Sequence, residues 1–226
     1  MKTTFTLLVM IALTVGAKAQ EPGNQGASSQ QQAVTNDDRG RAFIIEREPA
    51  PLSAAIHPGG FVVSAPHQYS IFLGSSWAKP ALRAREAELA NLLVNVRDPA
   101  TLKALNEAGV KNLYGPTSSR EQLDDLNGNI SDLQIQDILS AMVKEGSVTA
   151  STGNTIYVVF LDPDMHSTLG AMLAGKHYAA YHNFFNATGM KLHYVVVPFE
   201  ADRRTASQIA LRALVAAALN PTGQTW

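Results

Sequence analysis

The sequence predicts an α/β domain, a mixed sheet flanked by helices, and three observations carry that reading. Residues 155–161, Thr-Ile-Tyr-Val-Val-Phe-Leu, run almost without polar interruption, as a strand buried on both faces does. Residues 192–199 repeat the pattern and are closed by Pro198. Around these runs lie segments with apolar residues at helical spacing and helix start and stop signals, so helices pack on a sheet.

Taken in order, Lys2 precedes an uncharged, mostly apolar run from Phe5 to Ala17, and Ala17-Lys18-Ala19 places small residues where a signal peptidase reads them. Residues 1–19 are therefore expected to be a signal peptide and Gln20 the first mature residue. Residues 20–59 are expected to be disordered or extended. The glutamine-rich stretch up to about Arg41 holds too little apolar area to offset its ordering entropy, and Pro49, Pro51, Pro58 and Gly59-Gly60 mark 48–60 as a connector. Phe43-Ile44-Ile45 offers a short strand between them. The folded domain is expected over residues 60–226.

Within that domain, 61–63 and 69–73 are β-rich runs bent at Pro66. Pro80 suits a first helical position, and Leu82, Leu89, Leu92, Leu93 and Val96 recur at helical spacing, predicting a helix over 80–96 that Asp98-Pro99 stops. A shorter helix over 100–108 ends at Gly109, and 110–114 reads as a short strand. Ser131 with Gln134 forms a capping-box pattern ahead of the stripe Ile135, Ile138, Leu139, Met142 and Val143, which stops before Gly146. Residues 177–185 read as strand or bend with aromatics in the core, and 205–219 as the last helix.

A chain of 226 residues with 46% hydrophobic content supports one domain of ordinary size with short appendages. Removing the signal leaves 16 basic against 19 acidic side chains, a charge of −3. Arg83/Arg85 and Arg203/Arg204 are the local basic concentrations, and each reads as a solvated helix face, so no nucleic-acid partner is expected. With no cysteine, neither a disulfide nor a lipid-anchored amino terminus is expected despite export. The first apolar run is too short to span a bilayer and no later run reaches about 18 residues, so the chain is expected to be secreted, periplasmic or extracellular, without a transmembrane segment.

Few residues offer chemistry. Asp162-Pro163-Asp164-Met165-His166 follows a buried strand at its carboxyl end, where α/β folds place ligands, so Asp162, Asp164 and His166 are ligand-binding candidates. The same residues also read as a turn in which Asp164 caps a short helix. His177 and His182 are five apart, a spacing that suits neither one helix face nor one strand face. With His193 they are the metal candidates, and His182, in Tyr-His-Asn, is the better ligand-binding candidate of the first two. A histidine among Tyr181, Phe184 and Phe185 equally reads as a hydrogen-bonded core residue. Ser75-Ser76 after Gly74 lacks the Gly-x-Ser-x-Gly frame of a hydrolase nucleophile. The helix over 205–219 holds no histidine, aspartate or glutamate, and no cofactor is expected. The sequons at Asn129 and Asn186 would accept sugar only in a eukaryotic secretory path.

Several fragments occur in an order that matches a known family: Tyr69 to Trp77, Ile130-Ser131-Asp132-Leu133-Gln134-Ile135-Gln136, Ile156 to Leu161, Tyr181-His182-Asn183, Tyr194 to Pro198 and Asn220-Pro221. From about Gly60 onward the chain resembles the secreted phosphate-induced, exordium-like proteins. The resemblance implies a zincin-like fold and a His-Glu-x-x-Glu helix ahead of the Asn-Pro turn. At the positions of that motif this chain carries Arg212, Ala213 and Ala216, none of which can hold zinc or activate water. A positive Arg212 projecting into such a pocket would favour an anion, which makes it a further ligand-binding candidate. Two readings follow. One is a secreted, non-catalytic domain that binds a cell-surface or extracellular partner. The other is a divergent metal-dependent hydrolase, which requires at least three of Asp162, Asp164, His166, His177, His182 and His193 to converge.

Overall fold

The computed structural model describes residues 33–36, 40–46, 61–121, 128–150, 152–187 and 189–222. The expected signal peptide over 1–19, the glutamine-rich residues up to 32 and the connector over 48–60 lie outside the described residues. Along the chain the elements are β1 (Ala33–Asn36), β2 (Gly40–Ile45), β3 (His67–Leu73), α1 (Pro80–Ala90), α2 (Pro99–Glu107), β4 (Tyr114–Glu121), β5 (Asn129–Ser131), α3 (Asp132–Glu145), β6 (Thr155–Leu161), β7 (His166–Leu169), β8 (Met172–Leu173), β9 (Ala180–Ala187), β10 (Met190–Val197) and α4 (Arg203–Leu219).

Seven strands form one mixed sheet in the order β1-β2-β9-β10-β6-β3-β4, and β5-β7-β8 form a small second sheet. Strands β10, β6, β3 and β4 are parallel, while β9, β2 and β1 add antiparallel in turn. The parallel centre is apolar because both faces are covered. Tyr157, Val159 and Leu161 of β6 join Ile135, Leu139 and Met142 of α3, and the alternate residues Ile156, Val158 and Phe160 join Leu89 of α1 and Ala210 and Leu214 of α4. Each large side chain so removed from water contributes about 1.5–3 kcal/mol. A third, outer cluster seats Leu105 of α2 against Val215 and Leu219 of α4.

The expected α/β class, its two buried strands and its capping box are all present. Ser131 Oγ accepts the Gln134 amide while Gln134 Oε1 accepts the Ser131 amide, and Gly146 closes α3 at φ 76°. Other boundaries moved for visible reasons. The helix expected over 80–96 stops at Ala90, because Gln68, fully buried on β3, inserts its amide into the ladder: its Nε2 donates to Leu89 O at 2.6 Å and its Oε1 accepts Leu93 N at 3.1 Å. These are the two groups that would otherwise bond each other. Val62 and Val63 form no strand, since Val63 N donates to Ala218 O. The strand expected over 110–114 starts instead at Tyr114 and runs on through Gly115, Pro116 and the serines, a composition that an edge strand tolerates. The sheet also reaches back before Gly60. Phe43-Ile44-Ile45 pairs with β9 as part of β2, and β1 lies within the stretch expected to lack structure. No helix among the described residues is long and apolar enough to cross a membrane.

Candidate functional site

The chain leaves β3 toward β4 on one side and leaves β6 toward β10 on the other, so the carboxyl ends of these adjacent parallel strands form a topological switch point. From β3 the chain enters Gly74 and a 3-10 turn at Ser75–Ala78; from β6 it enters Asp162-Pro163-Asp164. The Asp162 carboxylate joins the two, accepting Ser76 N at 2.9 Å on Oδ2 and Asp164 N at 3.0 Å on Oδ1. Ser76 Oγ donates to Asp164 Oδ2 at 2.7 Å and accepts from Lys79 Nζ at 2.8 Å. Gly74, at φ 113°, is required here, because a Cβ on it would stand 2.3 Å from Asp162 Oδ2. Asp162 and Ser76 are 2% and 1% exposed. Both oxygens of Asp162 and the hydroxyl of Ser76 are thus committed and sealed, and the arrangement is a clamp between two loops rather than an open nucleophile. The helix expected after Asp164 is absent, because the chain turns directly into β7. His166, at the start of β7, is exposed and pairs in register with Asn129.

His182 and His193 lie elsewhere. His193 is level with Ile156 at the start of β6, six residues from Asp162, which at about 3.3 Å per residue is roughly 20 Å away. His182 alternates with Tyr181 and Asn183 and shares the α4 side of the sheet with Ala180, while His193 shares it with Val195. His182 stacks on Phe43 with ring centroids 5.0 Å apart, and its buried Nδ1 has no hydrogen-bond partner. Burial, aided by the neighbouring His193, holds its imidazole down at about 3. His193 is also lowered by burial, though Nδ1 lies 3.1 Å from Pro221 O. His182 is therefore a core residue, and its Nδ1 is the ring nitrogen left without a partner. His177 sits outside β9, in an exposed turn, where Nδ1 accepts Leu173 N at 2.9 Å.

Of the α4 positions singled out, Ala213 and Ala216 are 0% and 3% exposed and packed into the layer against the sheet. Arg212 is half-buried at its margin; burial lowers its pKa and the Glu46 carboxylate opposes that shift. Among the described residues no three histidine, aspartate or glutamate side chains come together as a metal site.

One buried polar cluster escaped the sequence reading. Asp132, 1% exposed at the first turn of α3, accepts Tyr194 Oη at 2.5 Å, Gln136 Nε2 at 2.8 Å and Asn183 Nδ2 at 3.2 Å. Burial and then this carboxylate push the Tyr181 and Tyr194 phenols well above their ordinary range. The first-turn position adds the favourable field of the helix amino terminus. The signal was present in the sequence, an aspartate directly after the capping serine, but it reads there as one more exposed first-turn acid.

Surface cavities are lined by described residues in at least two places. One, of about 410 Å³, lies between α1 and β4, with Phe72, Glu86 and Ser119 among its lining. Another, of about 680 Å³, is a groove beside His193, lined also by Phe61, Thr152, Met190, Lys191 and Thr222. No protein-family model, curated protein or solved structure matches the chain.

Proposed function

We propose that the chain is an exported, non-catalytic domain of the exordium-like type that acts by binding an extracellular or cell-surface partner. The observation that carries this reading is the packing under α4. Ala213 and Ala216 are packed between helix and sheet with Val195 and Val197, apolar side chains that offer an ion no ligand. The two histidines facing the same layer are buried and held neutral, and the carboxylate pair lies beyond the carboxyl end of β6, whose start is level with His193 and whose middle is level with His182. The divergent-hydrolase alternative needs three converging ligands, and the described residues supply pairs in two separate places. Arg212 lies at the margin of that layer, where the Glu46 carboxylate opposes the lowering of its pKa by burial.

The test is metal content of the chain from Gln20 to Trp226, measured by plasma mass spectrometry after dialysis first against zinc and then against metal-free buffer. The expected result is a folded protein with well below one equivalent of zinc. Stoichiometric retained zinc would falsify the non-catalytic reading.

A further inference from the structure

We infer that the groove beside His193 binds a ring-bearing carboxylate, with the ring against Phe61 and the carboxylate on Lys191. This deepens the reading of the chain as a binding domain and rests on it. The groove, at about 680 Å³, has the size of a small-molecule site. Phe61 is 58% exposed, the most exposed large apolar side chain among the described residues, and its ring leans on His193 with centroids 6.4 Å apart and planes 24° from parallel. A flat apolar surface is thus presented at the rim, with one edge of the groove formed by the Phe61 ring beside His193. Lys191 is anchored by its ammonium lying 4.7 Å over the Phe184 ring. No acid lines the groove among the described residues, so the single cation there selects for an anion.

His193 adds a third element. With the Pro221 carbonyl accepting from Nδ1, the proton of the neutral ring is on that nitrogen, and Nε2 keeps an acceptor lone pair. An acceptor suits a ligand hydroxyl, and the Thr152 and Thr222 side chains add two more hydroxyls to the lining. A uronic acid and an aromatic acid share a carboxylate and a ring face that can lie on Phe61, axial C–H groups in the first and the π face in the second, while the acceptor and the threonines favour the hydroxylated ring.

The experiment titrates sodium glucuronate, sodium benzoate and glucose separately into the 15N-labelled mature chain and follows its amide spectrum. Glucuronate is expected to shift Phe61, Lys191 and His193 and to bind at least fivefold more tightly than glucose. Phe61→Ala and Lys191→Met are each expected to weaken it at least fivefold; both side chains are exposed, and methionine keeps an apolar stem over Phe184. Binding of benzoate alone, with the same dependence on Phe61 and Lys191, supports the site and assigns it to aromatic acids. The inference is overturned if neither acid moves these amides, if the shifts map elsewhere, or if glucose binds as well as glucuronate and Lys191→Met changes nothing. Because the metal measurement reads the α4 layer and this one reads the groove, the two readings fail separately.

Discussion

Asp162 holds two loops with one carboxylate, and Gly74 exists at that point to make room for it. Asp162→Ala leaves the buried amide of Ser76 without its acceptor and is expected to cost about 2–3 kcal/mol in urea denaturation. Gly74→Ala forces both a Cβ clash and a left-handed backbone on an L residue, for about 3 kcal/mol. The two should not add: with the carboxylate gone the contacts at 2.3 and 2.4 Å go too and only the one to the Cβ of residue 162 at 3.0 Å stays, so a double mutant less destabilised than the sum by about 1 kcal/mol or more supports the clamp, and strict additivity refutes it. His182 carries a second residue-scale consequence. Its folded pKa, about 3, lies below the unfolded value near 6.5, so between these values the unfolded chain binds the extra proton. The stability it contributes is fully present above about pH 6.5 and is lost as pH falls toward 3, by up to about 1.4 kcal/mol per pH unit. His182→Phe keeps the ring stacked on Phe43 and cannot titrate. Its denaturation midpoint should fall less steeply over this range than that of the parent chain, and parallel curves would remove His182 as the cause.

At the scale of elements, α3 is fixed twice, by its capping box at the surface and by Asp132 in the interior. Ser131→Ala should cost about 1 kcal/mol, the usual worth of a cap. Asp132→Ala strands three buried donors, on Tyr194, Gln136 and Asn183, and should cost at least about 3 kcal/mol. A thermal or urea series in which the two substitutions cost the same would show that the interior contacts do not hold the helix. The pair also shows what the sequence can and cannot reveal. A cap is local, legible from a serine and a glutamine three residues apart, and it was found where expected. Of the partners of Asp132, Asn183 and Tyr194 come from β9 and β10, about 50 to 60 residues away, and no local pattern announces them. Gln68 makes the same point from the opposite side. The apolar spacing that predicts a helix through Val96 is real, but a buried amide from β3 takes the hydrogen bonds that would continue it.

For the molecule as a whole, the layered α/β arrangement was legible because the two central strands are continuous apolar runs and α3 carries a capping box and an apolar stripe, whereas the edges were not. Strand β4 holds Gly115 and Pro116, and β1 follows a glutamine-rich run, so both read as loops until a neighbouring strand pairs with them. The candidate site was legible in parts only: the aspartates and the histidines were each visible, but that the aspartates follow the carboxyl end of β6 while His193 is level with its start and His182 with its middle depends on register. The domain boundary follows from the same edge. A boundary at Gly60 would cut away β2, whose Phe43 covers His182, whose Ile44 enters the α3 layer and whose Ile45 enters the α4 layer. Each of those side chains contributes about 1.5–3 kcal/mol by burial. A chain starting at Gly60 should therefore lose several kcal/mol relative to one starting at Gln20, and the bared edge of β9 should promote self-association. With Phe43 gone, the His182 ring should titrate nearer 6.5 than 3 when followed by its proton resonances. An unchanged denaturation midpoint and an unchanged His182 titration would instead place β1 and β2 outside the cooperative unit and return the boundary to Gly60.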